Sequence, residues 1–376
     1  MPSTRKDLVN ELSGALGDIG TLLPLSLGAI AVAGLAPVPV LLGFAAFYIA
    51  TGLYYRLPIP VQPMKAVAAL LLTTQVSSGS LVASGLLIGA ILLLLGTTGW
   101  INRVARLVPG SVLSGLQLGL GLLLAYMSLG LMATSLALGV ITLLLLAITL
   151  KMFPNWPAAL IGLGVSVAIG VVLGAPGLSL PVADSVAFTM PRLPGIDEWQ
   201  QGFSTLVLPQ LALTITNAIV LTALVAGDYF GEQSNRVSPA RLSVSTGLAN
   251  LFLVPFGALP MCHGAGGVAA HYRFGARTGM APVLLGTGLL LVAFIPGGLS
   301  VIAAIPTAGL GALLLVAAVE LAASKRLWTA KPSCWPVIAI TALVTVWADP
   351  FFGLLAGVAS ETVRAALVRR QKPGVV

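Results

Sequence analysis

The stretch Leu57-Pro58-Ile59-Pro60-Val61-Gln62-Pro63-Met64-Lys65-Ala66 has a counterpart, Val254-Pro255-Phe256-Gly257-Ala258-Leu259-Pro260-Met261-Cys262-His263-Gly264, at an offset of 197 positions. Each interrupts an apolar run otherwise long enough to cross a bilayer. Each is followed by small residues suited to a helix. At the same offset, without gaps, Pro58 meets Pro255, Gly89 meets Gly286, Pro109 meets Pro306 and Leu113 meets Leu310. A broken helix repeated at matching places in two halves is the sequence mark of a binding site between inverted repeats.

Composition sets the class. The 376 residues are 57% hydrophobic and 8% charged, with a mean hydropathy of +1.03. Soluble domains carry roughly 25% charged residues, so this is an integral, all-α polytopic membrane protein. At ~20 residues per span plus short loops, the length predicts about 14 membrane elements. They are expected near 10–35, 38–55, 63–76, 81–101, 109–130, 132–150, 156–174, 203–227, 239–256, 260–273, 279–297, 299–322, 333–348 and 350–368. The polar stretch 176–202, with Pro176, Pro181, Pro191 and Pro194, reads as an extracytoplasmic linker. It divides a first repeat, 1–175, from a second, 203–376. Seven elements in each half place the second repeat upside down in the bilayer.

The net charge of +8 reads as loop charge that orients the chain rather than as a nucleic-acid surface. With a cytoplasmic N-terminus, Arg56, Arg103, Lys151, Arg241, Arg273, Lys325 and the C-terminal tail all fall inside. Arg192 is then the only cation outside, beside Asp184, Asp197 and Glu198. Glu11 and Asp18 exclude a cleavable signal behind Arg5 and Lys6. Cys262 and Cys334 are too few for a disulfide framework. Cys262 with His263 is too little for a metal site, which needs three or four ligands, and no cofactor is expected.

The broken elements carry the chemistry. Three prolines between positions 58 and 63 remove three amide donors and forbid a helix there. Extended backbone at membrane depth survives only inside protein or beside a cavity. Helices starting after Pro63 and Pro260 have first-turn amides without intrahelical partners and about half a unit of positive charge. Inverted symmetry aims the two ends at each other near the midplane, where they bind an anion. Lys65 stands in the first turn of one half-helix, where a cation is disfavoured and an anion would offset its cost; the alternative is a side chain reaching the surface beside Arg56. Two helix ends plus one lysine suit a divalent oxyanion. Backbone amides near Met64, Cys262, His263 and Gly264 are candidate donors, with Gly264, Gly266 and Gly267 leaving the backbone unobstructed. His263 either donates to the anion, carries a proton or satisfies a backbone carbonyl. His271 reads as cytoplasmic rim.

Two further spans are polar. Asp18 and Thr21 share one face of the first span, and an intramembrane acid is a functional candidate; its alternative is a structural pairing with Lys65 or nearby backbone. In the eighth span Gln210, Thr214 and Asn217 follow the spacing i, i+4, i+7 and line one stripe. They serve an oxyanion cavity or glue helices together.

These segments resemble a known family. Asn10-Glu11-Leu12-Ser13-Gly14-Ala15-Leu16-Gly17-Asp18-Ile19-Gly20-Thr21, Pro60-Val61-Gln62-Pro63-Met64-Lys65, Pro209-Gln210-Leu211-Ala212-Leu213-Thr214 through Asn217 to Asp228, and Pro260-Met261-Cys262-His263-Gly264-Ala265-Gly266-Gly267 are similar, in this order, to motifs of the molybdate transporter family related to sulfate permeases. The resemblance implies the seven-plus-seven inverted-repeat fold shared with sulfate permeases and uracil permease. It implies a core domain of spans 1–4 and 8–11 and a gate domain of spans 5–7 and 12–14. It implies high-affinity oxyanion uptake coupled to protons. Relatives of this kind are often dimers, so a homodimer is allowed, although the gate-domain surface carries no decisive signal; the expected location is the inner (plasma) membrane of a bacterium, with both termini in the cytoplasm. Asn217 stands where related permeases often place a glutamate, which alters their coupling scheme.

The reading is a secondary active molybdate importer, not an enzyme. The anion is held by Lys65, by amides of Met64, Cys262, His263 and Gly264, and by Thr21, Gln62, Gln210, Thr214 and Asn217. Asp18 or His263 carries the coupled proton. Sulfate carriage by the same machine and an anion channel are the alternatives. A nucleobase carrier wants buried carboxylates that spans 8 and 10 lack.

Overall fold

The computed structural model describes residues 5–105, 109–153, 158–178, 193–323, 325–348 and 350–371. Asp184 and Arg192 lie outside the described residues. The principal helices are α1 (Arg5–Leu16), α2 (Ile19–Ala33), α3 (Pro37–Tyr55), α4 (Lys65–Thr73), α5 (Ser78–Thr97), α6 (Gly110–Ala133), α7 (Leu136–Met152) and α8 (Ala158–Leu173). The second half contributes α9 (Ile196–Arg236), α10 (Pro239–Leu253), α11 (Ala265–Arg273), α12 (Met280–Phe294), α13 (Thr307–Ala322), α14 (Trp335–Trp347) and α15 (Pro350–Gln371). Strands β1 (Gln62–Pro63) and β2 (Met261–Cys262) pair antiparallel, Gln62 opposite Cys262 and Pro63 opposite Met261.

Helix packing comes in matched pairs. α3 lies on α12 as α10 lies on α5; α14 lies on α6 as α7 lies on α13; α6 and α13 lie along each other. Each packing maps onto its counterpart when residues are shifted by 197. Segment 176–178 joins the second half: Thr307 N donates to Pro176 O at 3.1 Å and Leu178 N donates to Ile305 O at 3.0 Å.

Several expected spans differ in detail. Among the described residues four helices are long and apolar enough to cross a membrane, α3, α5, α6 and α9. Others are shorter: α12 has 15 residues, and such a helix reaches about 22 Å against a hydrocarbon core of about 30 Å. Its non-helical flanks must make up the difference. The first span is bent by 41° between Asp7–Leu16 and Thr21–Ala33. Gly14, Gly17 and Gly20 weaken that helix locally, and Asp18 turns inward there. The eighth span begins at Ile196, inside the stretch expected to be linker. The reason is local: Glu198 Oε2 accepts from Gly195 N at 2.7 Å, and Asp197 and Glu198 suit the positive end of a helix. α9 also contains two π-helical stretches, Gly202–Val207 and Thr214–Leu221. Pro209 between them has no amide to donate to the preceding turn. In the second stretch Thr222 Oγ1 reaches Asn217 O at 3.1 Å.

Two buried polar groups lock the bend to the second half. Glu11 accepts from Arg277 N and Thr278 N at 2.9 Å each and from Ala281 N at 3.2 Å. It therefore caps the start of α12 from another element, serving donors that no residue of α12 can serve. His271, expected at the cytoplasmic rim, is fully buried and donates from Nδ1 to Gly14 O at 2.7 Å. The α1–α11 packing covers it.

Candidate anion site

The two proline breaks meet at the centre. Pro58, Pro60 and Pro63 keep 57–64 out of a helix, and the structure then satisfies the exposed backbone from inside the protein, as membrane depth demands. Met64 N donates to Pro260 O at 2.9 Å. Asn250, fully buried on α10, donates from Nδ2 to Met261 O at 2.7 Å and accepts from Met261 N at 3.0 Å. Its amide thus imitates a neighbouring strand. His263 donates from Nδ1 to Pro60 O at 2.9 Å, and its Nε2 lies 2.8 Å from Ser245 Oγ. Ser245 Oγ is in turn 2.8 Å from Tyr55 OH.

The helices α4 and α11 begin two and three residues beyond the paired strands, so both N-termini flank this ribbon. They are not equivalent. Gln210 Oε1 accepts from Ala66 N at 2.8 Å and from Val67 N at 3.4 Å. Its Nε2 donates to Thr214 Oγ1 at 2.8 Å. Two first-turn amides of α4, those of Ala66 and Val67, are therefore already capped. At α11 no residue among those described accepts from the amides of Ala265, Gly266 or Gly267, and Gly266 is exposed to a cavity. The open electropositive helix end is the second one.

Behind the ribbon lies Asp18, fully buried. It accepts from Tyr48 OH at 2.5 Å and from Gln62 Nε2 at 2.5 Å. The pairing with Lys65 considered from sequence does not form; Tyr48 and Gln62 occupy the carboxylate. Gly264 and Gly267 make room for Gln62: an added Cβ at Gly264 would overlap Gln62 Oε1, and one at Gly267 would stand 2.7 Å from Gln62 Nε2.

A cavity of about 850 Å³ opens beside these groups. This vestibule is far larger than the space a single water needs. Thr21, Gln62, Lys65, Asn217 and Gly266 line it, with Arg273 and Arg326. A recess of about 20 Å³ shares Gln62, Lys65 and Asn217 with it and adds Gln210, Cys262 and His263. Three cations and no carboxylate line the two spaces among the described residues. Arg326 is half-buried, and burial holds its guanidinium below its ordinary pKa, a cost that a bound anion would relieve.

The sequence candidates therefore divide. Thr21, Gln62, Lys65, Gln210, Asn217, Cys262 and His263 reach these spaces. Met64 does not: its side chain is buried and its amide is held by Pro260. Thr214 is fully buried and supports Gln210 by accepting from its Nε2. Gly264 is covered by Gln62. Gln117 on α6, which sequence reading passed over, lines both spaces. A single amide in the middle of a span whose other polar side chains are hydroxyls was the available signal.

The same segments are those that known proteins share. A family model described as "Molybdate transporter of MFS superfamily" matches residues 10–124 and 202–321. The chain belongs to the molybdate transporter family. Relatives include molybdate transporter 2 of Arabidopsis thaliana, 30% identical over 94% of this chain and 87% of that protein. Molybdate transporter 1 of the same plant is 31% identical over 92% and 86%, and molybdate transporter 1 of Chlamydomonas reinhardtii is 27% identical over 90% and 88%. The fold is similar to the transmembrane domain of the cyanobacterial bicarbonate transporter BicA, with a TM-score of 0.68, 18% identity and coverage of 94% of this chain and 98% of that one. It is also similar to the inward-facing murine anion transporter Slc26a9, with a TM-score of 0.74, 15% identity and coverage of 97% and 69%. Members of this family are membrane transporters, not enzymes. The fold stands with BicA and Slc26a9, although the family's description carries the MFS label.

Proposed function

We propose that this chain is a secondary active transporter importing molybdate by alternating access. The observation that carries the reading is the cavity itself: Lys65, Arg273, Arg326 and the open N-terminus of α11 face one space that no carboxylate lines among the described residues. Such a space attracts and holds a tetrahedral dianion. The relatives' names point to molybdate within that class. Lys65 supplies charge, Gly266 and its neighbours supply amides, and Thr21, Gln62 and Asn217 complete the donors. Gln210, Thr214, Met64, His263 and Gly264 shape the ribbon that presents them.

The matched helix packings support two inverted repeats of seven elements, 1–175 and 203–376. In this reading spans 1–4 and 8–11 carry the site and move against spans 5–7 and 12–14. The vestibule bears the arginines of the predicted cytoplasmic loops, so this conformation is inward-open, in the inner membrane of a bacterium with both termini inside. Of the two titratable groups, Asp18 is better placed to carry the coupled proton, because it bonds Gln62, which lines the cavity. His263 serves Pro60 and Ser245. A homodimer is the proposed assembly.

The test is binding of labelled molybdate to the purified protein with sulfate as competitor. Saturable binding that excess sulfate fails to displace is expected. Binding abolished by sulfate but not by unlabelled molybdate would reassign the substrate. Uncoupled current reversing at the anion's equilibrium potential would make the protein a channel.

A further inference from the structure

We infer that Gln117 is a substrate-binding residue that ties the bound oxyanion to α6, an inference that rests on the transport reading above. Gln117 is 7% exposed, yet it lines both the vestibule and the recess that contain Lys65. Its Oε1 is buried and has no hydrogen-bond partner. A buried amide oxygen left unpaired is costly, and nothing in the packing of α6 requires an amide there. Its Nε2 donates to no protein group among the described residues, which leaves a free donor beside the cavity.

The donor comes from a different side than the rest of the site. Lys65, Gln62 and Gly266 belong to the ribbon and its half-helices, whereas Gln117 rides on α6. That helix is wedged against α14: an added Cβ at Gly119 would lie 2.6 Å from Thr345 Cβ, and one at Gly115 would overlap Thr341. Gln117 therefore moves with α6 and α14. An anion bonded to Lys65 and Gln117 at once joins the two sides, so its affinity changes when they part.

The chemistry also sets a class. Gln117 offers the cavity an amide donor. Among the described residues the lining holds no carboxylate. A dianion with four bare oxygens, such as molybdate or sulfate, has only acceptors and fits.

The experiment uses the full-length protein in proteoliposomes, with molybdate as the probe. Gln117→Leu is expected to raise the molybdate KM ten- to a hundredfold, the loss of one hydrogen bond to a charged group, with Vmax and melting temperature near wild type. Gln117→Glu, which places a carboxylate at the same point, is expected to abolish molybdate uptake by like-charge repulsion. Gln117→Asn, which withdraws the amide by one methylene, guards against a folding defect in the other two and is expected to raise KM as well. Wild-type KM in all three variants, with Lys65→Met inactive, overturns the role of Gln117 and leaves the transport reading standing. A wild-type protein that binds no oxyanion overturns the transport reading first.

Discussion

Asp18→Asn tests whether the site is held from behind. The carboxylate accepts two hydrogen bonds, from Tyr48 OH and Gln62 Nε2, both at 2.5 Å and both fully enclosed. Hydrogen bonds to a charged group contribute about 1.5–3 kcal/mol each, against ~1 kcal/mol between neutral groups. Asparagine keeps one oxygen for Tyr48 but turns an amide donor toward the Gln62 donor. Gln62 must then flip or leave. The expected loss is about 2–3 kcal/mol, or roughly thirty- to a hundredfold in apparent affinity if it falls on the cavity side. Asp18→Ala orphans both donors and leaves a void, so it is expected to cost ~3–6 kcal/mol and to prevent assembly. The assay is molybdate uptake into proteoliposomes over a concentration series, together with detergent melting of the same preparation. Asp18→Asn should melt a few degrees lower, show a raised KM, and lose its response to an imposed proton gradient. A variant with wild-type KM and melting temperature would refute the claim that Asp18 holds Gln62 in place.

Lys65→Met should remove the largest attraction in the cavity. A unit charge ~4 Å from a dianion at an effective dielectric of ~20 gains about 8 kcal/mol before desolvation; if half survives, affinity falls roughly a thousandfold, measurable by equilibrium binding, and wild-type binding would remove Lys65 from the site. Gly267→Ala would put a Cβ 2.6 Å from Pro60 Cβ and 2.7 Å from Gln62 Nε2, an overpacking cost of about 1–3 kcal/mol that should depress uptake, while Gly288→Ala, whose Cβ meets nothing within 4 Å, should be silent. Glu11→Ala orphans the amides of Arg277, Thr278 and Ala281 and should lower the melting temperature more strongly than it changes the KM of the protein that survives; an unchanged melting curve would show that α12 does not depend on this cap.

Much of the fold was legible in the residues. Prolines at 58, 60 and 63 forbid a helix through covalent geometry alone, so the break, the half-helix after it and the match with Pro260 needed no tertiary information. Composition settled the membrane class because a chain with so few charges cannot remain in water. Motif order placed Lys65, Gln62 and Asn217 near one another. The partners of those groups were not legible. Gln210 caps α4 across 144 positions, Asn250 stands in for a strand beside Met261, and Tyr48 rather than Lys65 takes Asp18. A proline acts on its own backbone and carries its effect wherever the chain goes. A hydrogen bond needs a donor and an acceptor brought together, and which side chains meet is settled only when the helices pack. The asymmetry of the two helix ends, one capped by Gln210 and one open at Gly266, is a decision of that second kind.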